Sequence, residues 1–411
     1  MDPLDRLPDP NERRLAVRVT PDALRHVRSG HPWVFGDSVV HVGAEGAAGD
    51  LAVIFDAARR FAAIGLYDPG SPIRIRVLHH GRPVPIDDAW WAARLEAALD
   101  IRATLASSSE TTGYRCVNGE NDGFPGLVLD RYDATYVLKL YSTAWLPHLR
   151  MLVDLLRRRL APERLILRLS RGVQRSETFG LVDGVALIGT VPDAPVLFRE
   201  NGLVFEADVV RGQKTGHFFD QRDNRARVRD LSAGADVLDV FACTGGFSVY
   251  AAAGGAVSVH SIDLSAPTLA TAERNMAHNR ELRRVAACRH TIEVADAFDA
   301  MRELGRRSAR FDVVVVDPPS FAQKQADVRG ALQAYRRLTE LATVLVAPGG
   351  VLVQASCSSR VGAEAFHDAV LGTIERSGRH AHVLARTTHA VDHPVTFAEG
   401  AYLKAVFVRI G

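Results

Sequence analysis

The sequence VLDVFACTGGFSVYAAAGG at residues 237–255 joins an apolar run to a helical run through a loop that contains Gly245 and Gly246. Glycine has no side chain, so the backbone of such a loop can approach a ligand and leave the first N–H groups of the following helix available to it. Residues 240–262 contain no Asp, Glu, Lys or Arg, as in a membrane span, but glycine pairs interrupt them. We therefore predict a strand, a loop, a helix and a second strand within a soluble core.

From about residue 234 onward, apolar strand-like runs alternate with helical runs. The strand-like runs are VLDVF, SVHSID, HTIEVAD, FDVVVVD and GGVLVQASC, and the helical runs include APTLATAERNMAHN and ALQAYRRLTELATVLV. This alternation predicts an α/β fold with a doubly wound, Rossmann-like parallel sheet. In such sheets the ligand binds at the carboxyl ends of the strands.

Four aspartates stand at the ends of successive predicted strands, namely Asp239, Asp263, Asp296 and Asp317. Asp263 follows Gly245 by 18 residues, a position from which an acidic side chain can bind ribose hydroxyls. Asp296 can accept from an adenine amino group while the N–H of Ala297 serves the ring. The loop lacks the G-x-G-x-x-G cradle for a pyrophosphate, so a donor without phosphates fits better than NAD. Each aspartate alone could equally be a structural cap, but the ordered set indicates a binding site.

The first 200 residues read as two further regions. Short β-like runs separated by Gly, Pro and Asp predict a small β domain at residues 13–82. A linker helix at residues 89–106 and strands around one helix predict a central α+β domain within residues 83–200. The α/β domain then occupies residues 201–411.

Two motifs in these regions have both a structural and an RNA-binding interpretation. Trp33 and Phe35, in the sequence HPWVFG, could stack on a base, but we favour the core of a small domain. The arginine tract LRRRL at residues 156–160 is typical of a solvated helix face rather than of an RNA contact.

The composition describes a folded protein whose net charge says little about its partners. The 411 residues are 47% apolar and 24% charged, with a net charge of +2. Only four of the 50 basic residues are lysines, and this arginine bias supports RNA binding only weakly. The first residues lack the apolar run of a signal peptide, so we expect a cytoplasmic protein without a membrane segment. The four cysteines are scattered, which predicts neither a metal site nor a disulfide scaffold.

Several motifs resemble those of the bacterial large-subunit rRNA cytosine-5 methyltransferase family. They are RCVNGENDGFPGLVLDRY at 115–132, GQKTGHFFDQRDNR at 212–225, LDVFACTGGFSVYAA, IDLS, ADAF, DPPSF and ASCSS. The resemblance covers nearly the full chain. It implies an N-terminal PUA domain, a central α+β domain and a class I methyltransferase domain. It further implies S-adenosylmethionine as donor, S-adenosylhomocysteine as product and large-subunit rRNA as partner, with a homodimer as a weaker expectation.

The resemblance also implies which residues hold the donor. Together with the positions discussed above, the predicted donor contacts are Gln213, Lys214, Thr215, Phe219, Asp220, Arg222, Asp239, Phe241, Thr244, Gly245, Asp263, Leu264, Asp296, Ala297 and Asp317. The alternative for the HFFDQR segment is a packed helix entry without a binding role.

Methylation of cytosine C5 requires a nucleophile, because C5 becomes reactive only after a thiolate has added to C6. Cys357, in QASCSSR after an apolar strand, is the predicted nucleophile, and Asp317 is predicted to hold and protonate N3. The base that removes the C5 proton is not identified by the sequence. Cys116, Cys243 and Cys288 are interpreted as structural, and an inert buried thiol is the alternative for Cys357.

Two other functions are compatible with the motifs. D-P-P motifs also serve methylation of an exocyclic amino group, which needs no cysteine. A PUA-type RNA-binding assembly factor that has lost turnover would retain the same fold.

Overall fold

A computed structural model describes residues 3–411, which fold into two compact units. The first unit comprises residues 3–198, 207–219 and 391–397, and the second comprises residues 199–206, 220–390 and 398–411. No helix within residues 3–411 is long and apolar enough to cross a membrane.

The N-terminal part of the first unit is a six-stranded sheet with the strand order β2-β6-β5-β4-β1-β3. Its strands are β1 (Leu15–Val19), β2 (Trp33–Phe35), β3 (Val39–Val42), β4 (Leu51–Phe55), β5 (Phe61–Tyr67) and β6 (Ile73–His80). Helix α1 (Pro21–Arg28) begins after Thr20, whose hydroxyl accepts from Ala23 N at 3.3 Å as an N-cap. Alternating side chains such as Val17, Ile54 and Ile75 form the buried face.

The two aromatic residues of the HPWVFG motif differ in their burial: Trp33 packs against other residues and Phe35 is exposed. Trp33 is half-buried, packs against Phe397 with ring centroids 5.1 Å apart and donates its indole N–H to Glu120 Oε1 at 2.8 Å. Phe35 is 42% exposed. The core interpretation is therefore wrong for Phe35, because a three-residue edge strand leaves its outer face uncovered.

The rest of the first unit is a five-stranded sheet with helices, in the order β11-β10-β9-β8-β7. Its strands are β7 (Gly113–Asn118), β8 (Leu127–Tyr132), β9 (Thr135–Leu140), β10 (Arg164–Leu169) and β11 (Ala186–Ile188). Its helices are α2 (Asp88–Ile101), α3 (Ala103–Ala106), α4 (Leu149–Leu160) and α5 (Arg171–Gln174). Arg157, Arg158 and Arg159 of α4 are exposed, and Arg157 pairs with Asp154 at 2.9 Å. This exposure agrees with a solvated helix face.

The second unit is built on a seven-stranded sheet with the order β16-β15-β14-β17-β18-β20-β19, and β12 (Val196–Glu200) and β13 (Leu203–Ala207) form a separate two-stranded sheet. The seven strands are β14 (Asp236–Val240), β15 (Ser258–Asp263), β16 (Arg289–Val294), β17 (Phe311–Val316), β18 (Val346–Ser356), β19 (Ala381–Thr387) and β20 (Lys404–Ile410). The helices are α6 (Arg222–Leu231), α7 (Gly246–Gly254), α8 (Ala266–His278), α9 (Arg283–Ala287), α10 (Ala297–Arg306), α11 (Val328–Leu345) and α12 (Ala363–Arg376).

The predicted α/β class is confirmed, and six of the seven strands run in the same direction, with β20 opposite to them. Strand order reverses between β14 and β17, which is the switch point where ligands bind in sheets of this kind. The five strands that the sequence predicted, β14 to β18, form the parallel part of the sheet, and beyond them β20 pairs antiparallel with both β18 and β19. β20 follows β19 in the chain and runs opposite to it, so this connection needs no helical crossover.

Candidate active site

The four predicted aspartates lie along the carboxyl edge of four adjacent strands. Asp239 is the fourth residue of β14, Asp263 is the last of β15, and Asp317 directly follows β17. Asp296 comes two residues after β16. Their order along the sheet is Asp296, Asp263, Asp239 and Asp317.

The loop between β14 and α7 is held in an unusual backbone conformation. Phe241, Cys243 and Gly245 have φ angles of +64°, +50° and +75°. For a residue with a side chain this left-handed conformation costs about 1–2 kcal/mol, and such strain is concentrated at functional sites. A Cβ on Gly245 would lie 2.7 Å from the Cβ of Ala272, so only glycine fits this position. The loop therefore brings bare backbone to the N-terminus of α7.

Asp239 is a buried carboxylate with one oxygen engaged and one available. Ser248 Oγ donates to Oδ2 at 2.6 Å. Oδ1 is buried and has no hydrogen-bond partner within residues 3–411. Burial raises the pKa of Asp239 to about 6, although hydrogen bonds from Ser248 oppose the rise. A buried acceptor of this kind can take a hydrogen bond from a water molecule or from a ligand, including a cationic one.

A chain of hydrogen bonds behind Asp239 fixes its orientation. Ser248 Oγ also lies 2.7 Å from Ser261 Oγ, which lies 2.8 Å from His290 Nε2. Burial lowers the pKa of His290 to about 4, so this imidazole is neutral near pH 7. The chain thus anchors the carboxylate through groups without net charge.

Asp263 and Asp296 are each bound to local backbone. Asp263 accepts from Cys243 N and Ser265 N, both at 2.9 Å, so it links the glycine loop to β15. Asp296 Oδ1 caps α10 by accepting from Phe298 N and Asp299 N at 2.9 and 3.2 Å. Ala297 is the buried first residue of that helix. Leu264, beside Asp263, is 73% exposed and offers apolar surface to a flat ring.

Asp317 shares its surroundings with Asp220 and Gln221. Burial raises the pKa of Asp317 to about 7, the charge of Asp220 adds to the rise, and a hydrogen bond from Gln221 opposes it. Asp220 is buried and accepts from Tyr402 Oη at 2.8 Å. A carboxyl group with a pKa near 7 can both give and take a proton at neutral pH.

Arg222 belongs to a buried ion cluster that the sequence did not reveal. Glu200, fully buried, accepts from Arg225 at 2.9 and 2.8 Å and from Tyr250 Oη at 3.0 Å. Arg222 Nε lies 3.6 Å from the same carboxylate. Arg225 in turn would be 3.0 Å from a Cβ on Gly246. The cluster therefore packs against the first residue of α7. The sequence did not reveal it because Glu200 and the arginines of α6 are more than 20 residues apart.

The segment 212–219 contributes its predicted donor residues to the first unit. Thr215 Oγ1 donates to Asp130 Oδ2 at 2.5 Å, and Lys139 Nζ donates to Lys214 O at 2.7 Å. Phe219 packs on Tyr132 with ring centroids 5.1 Å apart. Gln213 lies in the same turn, where its carbonyl accepts from Gly216 N at 2.9 Å. Their donor contacts stay predictions.

Cys357 directly follows β18, the neighbour of β17 at the carboxyl edge. The thiol is half-buried, and its Sγ lies 3.8 Å from Pro318 O, in the DPPS loop after Asp317. Cys116 is buried, and burial raises its thiol pKa. Burial also raises the pKa of Cys243 and of Cys288, each to about 11. These three thiols are poor nucleophiles near pH 7.

Hydroxyl groups tie the loops after β17 and β18 together. Tyr335 Oη lies 2.8 Å from Ser356 Oγ and 3.1 Å from Ser358 Oγ. Ser358 Oγ is 3.0 Å from Ser320 Oγ in the DPPS loop. The two residues predicted for the chemistry, Asp317 and Cys357, are thus mounted on loops that are linked by hydrogen bonds.

Lys404 is a further residue at this edge that was missed. It begins β20, is 2% exposed and donates from Nζ to Ser358 O and to Tyr402 O, the latter at 3.0 Å. The available signal was a lysine inside the apolar run YLKAVFV. A charged residue there is rarely buried without a partner.

The edge as a whole suits a nucleoside with a cationic tail. It offers the free oxygen of Asp239, the N-terminus of α7, and the exposed side chain of Leu264. Within residues 3–411 no cluster of His, Cys, Asp and Glu is arranged to hold a metal ion.

Comparisons with known proteins agree with this architecture. Residues 189–409 match the model of the S-adenosylmethionine-dependent methyltransferase family, and residues 17–80 match that of a PUA-like domain. A ribosomal RNA large subunit methyltransferase of Deinococcus radiodurans is 50% identical over 402 residues, covering 97% of this chain and 98% of its own length. Ribosomal RNA large subunit methyltransferase I of Tolumonas auensis is 35% identical over 383 residues, or 92% of this chain and 95% of its own.

Two solved structures share the fold. One, assigned as an S-adenosylmethionine-dependent methyltransferase of Streptococcus mutans, superposes with a TM-score of 0.79 at 20% identity over 96% of this chain and 99% of its own. A second methyltransferase, complexed with S-adenosylhomocysteine, gives 0.81 at 21% identity over the same shares. The cofactor is therefore S-adenosylmethionine, and the chain belongs to the S-adenosylmethionine-dependent methyltransferase family that includes the ribosomal RNA large subunit methyltransferases.

Proposed function

We propose that this enzyme methylates C5 of a cytosine in large-subunit ribosomal RNA through a covalent bond between Cys357 and C6. The observation that supports it best is the position of the thiol. Cys357 Sγ lies 3.8 Å from Pro318 O on the loop that follows Asp317, at the edge that also holds Asp239 and Asp263. Large-subunit ribosomal RNA is proposed as substrate because the relatives are ribosomal RNA large subunit methyltransferases. Cytosine C5 is proposed as the methylated atom because a thiol lies at this edge.

Groups on the carboxyl edge would hold the donor. The free oxygen of Asp239 would accept from the ammonium of the methionine part, and Asp263 from the ribose hydroxyls. Leu264 would pack on the adenine ring. When bound, S-adenosylmethionine supplies an electrophilic methyl group and departs as S-adenosylhomocysteine.

Cys357 begins the reaction as a thiolate. Its sulfur forms a bond to C6, the C5=C6 electrons shift to form C4=C5, the C4=N3 electrons move to N3, and N3 takes a proton from Asp317. C5 is now nucleophilic and forms a bond to the methyl group, while the electrons of the broken carbon–sulfur bond stay with the departing thioether. A base then removes the C5 proton, C5=C6 re-forms, the thiolate leaves C6, and N3 returns its proton to Asp317. The thiolate and the proton of Asp317 are thereby restored, and the C5 proton leaves with the base.

Asp317 is suited to this role because burial raises its pKa to about 7. A group with a pKa near the working pH transfers protons in both directions at low cost. The target cytosine must be unpaired or flipped out to reach this edge. The PUA-like sheet would hold the surrounding RNA by shape and phosphate contacts.

The test compares Cys357→Ala with Cys288→Ala, since Cys288 is also half-buried but lies at the end of α9. The substrate is large-subunit rRNA from cells that lack the gene, and the products are nucleosides identified by mass spectrometry. We expect 5-methylcytidine with Cys288→Ala and none with Cys357→Ala, while calorimetric titration shows donor binding by both. RNA that contains 5-fluorocytosine should form a covalent complex only when Cys357 is present, because fluorine cannot leave as a proton does.

Methylation of an exocyclic amino group is the second candidate. Pro318 O and Asp317, which stand beside Cys357, could accept hydrogen bonds from such a group. Full activity of Cys357→Ala, with a methylated amino group as product, would establish this alternative. Absence of donor binding by the unmodified protein would instead favour the RNA-binding assembly factor.

A further inference from the structure

Lys404 is a buried cation beside the segment that holds Cys357. It pairs with Ser356 in the register between β20 and β18, so its backbone lies opposite the residue that precedes the thiol. Its side chain is 2% exposed, and Nζ donates to the carbonyl of Ser358, the residue that follows the thiol. Lys404 thus contacts the residues on both sides of Cys357, Ser356 by strand pairing and Ser358 by a hydrogen bond to its carbonyl.

The surroundings of Lys404 contain little negative charge. Among the described residues, Nζ donates to the carbonyls of Ser358 and Tyr402, and the one charge that acts on its pKa is that of Cys357. The ionisable groups near it are Cys357 after β18 and His367 on α12, and the charge of Lys404 helps to lower the pKa of His367. Of these two, only the thiol can become an anion. A buried ammonium with carbonyl partners alone favours an anion nearby, and attraction between charges is strong where water is excluded.

Lysine rather than arginine suits this position because its charge is compact and its pKa responds to burial. Burial lowers the pKa of Lys404 to about 8, and a thiolate at Cys357 opposes that decrease. At pH 7 the side chain is therefore still mostly the ammonium. The lysine keeps its proton, and the proton of the thiol goes to solvent.

We infer that Lys404 is a positioning residue that stabilises Cys357 as a thiolate and fixes the turn from Cys357 to Ser358. This inference rests on the proposed role of Cys357 as nucleophile. The ammonium acts twice in the reaction. It favours the thiolate before attack on C6, and it favours the same thiolate as the leaving group when the enzyme is released from the methylated base.

The test measures alkylation of each cysteine by iodoacetamide as a function of pH, with mass spectrometry of the peptides. It compares the full-length protein with Lys404→Met, which keeps the length of the side chain without its charge. Lys324→Met is the matched control, because Lys324 is an exposed lysine of the same unit. Cys243 and Cys288 serve as internal references.

In the unmodified protein we expect Cys357 to react with a midpoint below about 8.5, the value of a free thiol. Lys404→Met should raise this midpoint by about one pH unit, so that alkylation at pH 7 falls about tenfold. Lys324→Met should leave it unchanged, and Lys404→Arg should restore part of the reactivity. The pH at which kcat/KM reaches half its maximum should move with the alkylation midpoint, a change that a structural role alone would not cause.

Two results would overturn the inference. One is an alkylation profile of Cys357 that is the same in Lys404→Met and the unmodified protein. The other, which needs no variant, is a midpoint for unmodified Cys357 at or above that of a free thiol. Alkylation of the buried Cys116 would reveal that a variant has unfolded. In that case the midpoint measured for Cys357 in the unmodified protein decides whether the inference stands.

The outcomes for Lys404 and for the proposed function can be told apart. Loss of methylation in Cys357→Ala with an unchanged profile in Lys404→Met would reject the inference and keep cytosine C5 methylation. If Lys404→Met lowers the reactivity of Cys357 but Cys357→Ala keeps full activity, the covalent mechanism is rejected. The electrostatic effect of Lys404 on Cys357 is then retained.

Discussion

Ser248 donates its hydroxyl to Oδ2 of Asp239 over 2.6 Å, so the helix that follows the glycine loop holds the carboxylate that precedes it. The contact fixes one oxygen and leaves Oδ1 without a hydrogen-bond partner among residues 3–411. Because the bond also opposes the rise in the pKa of Asp239, Ser248 influences both the orientation and the charge of the site.

Replacing Ser248 by alanine should weaken donor binding. A hydrogen bond to a charged group contributes about 1.5–3 kcal/mol, so we expect the Kd for S-adenosylmethionine to rise roughly tenfold or more. Calorimetric titration measures it. The control is Ser258→Ala, which also removes a hydrogen bond from a serine to an aspartate, Asp236. These two residues begin β15 and β14, at the end of the strands away from the site. Equal effects of the two substitutions would argue against a role for Asp239 in binding.

Donor affinity should depend on pH through Asp239. Its pKa is raised to about 6, and only the ionised carboxylate attracts a cationic ligand. Affinity should therefore be constant above pH 7 and fall as the pH decreases through 6. In Ser248→Ala the fall should begin at a higher pH, because a bond that favours the charged form is missing. A flat affinity between pH 5 and 8 would contradict this assignment.

Replacing Gly245 by alanine should abolish donor binding. The new Cβ would lie 2.7 Å from Ala272 and would also occupy a left-handed conformation with a φ of +75°. Gly255→Ala is the control, because its φ is +99° but the nearest atom to its Cβ would be 3.6 Å away. Backbone strain of about 1 kcal/mol is then common to both, and only Gly245→Ala distorts the loop. The measurements are Tm and donor titration.

Asp317→Asn should lower kcat/KM by about 10²–10⁴-fold, because the amide cannot transfer a proton to N3. In the unmodified enzyme the protonated form is lost as the pH rises through about 7, so activity should decrease on the alkaline side. That decrease should be absent from the residual activity of Asp317→Asn. Asp312→Asn, at the exposed beginning of the same strand, should keep the normal profile.

Glu200→Gln should destabilise the protein by about 3–5 kcal/mol, because it removes a buried negative charge that Arg225 and Arg222 share. Chemical denaturation measures the free energy of unfolding. Glu303→Gln removes an exposed carboxylate that pairs with Arg306 and Arg307, and it should leave the Tm unchanged. A loss of donor binding without loss of stability in Glu200→Gln would instead indicate that the cluster is part of the binding site.

Much of the second unit could be predicted from local patterns. The alternation of apolar strand-like runs with helical runs predicted the parallel strands β14 to β18, and the aspartates at or near the ends of four of them predicted the edge they share. The same patterns could not predict β20, because an apolar run such as KAVFVRI has no direction until it pairs. Strand direction depends on the partner, and the partner here is more than 40 residues away in sequence.

The residues missed at the site share one property. Glu200 and Lys404 form their hydrogen bonds with groups that are distant in sequence. The partners of Glu200 are Arg225 and Tyr250, and the partner of Lys404 is the carbonyl of Ser358. Phe35 was misjudged for a similar reason, since its exposure depends on what covers a sheet edge. Asp296 could be interpreted either way from sequence, and its capping bonds are visible only in the structure.

The position of β20 has a consequence for biosynthesis. This strand follows β19 in the chain but lies between β18 and β19 in the sheet. A growing polypeptide therefore carries β18, an 11-residue strand, with an open edge until the last of the seven strands leaves the ribosome. Unpaired edges of this kind promote association between chains. We expect translation arrest before residue 404 to yield an aggregation-prone product that depends on chaperones, whereas release of the next few residues allows the sheet to close.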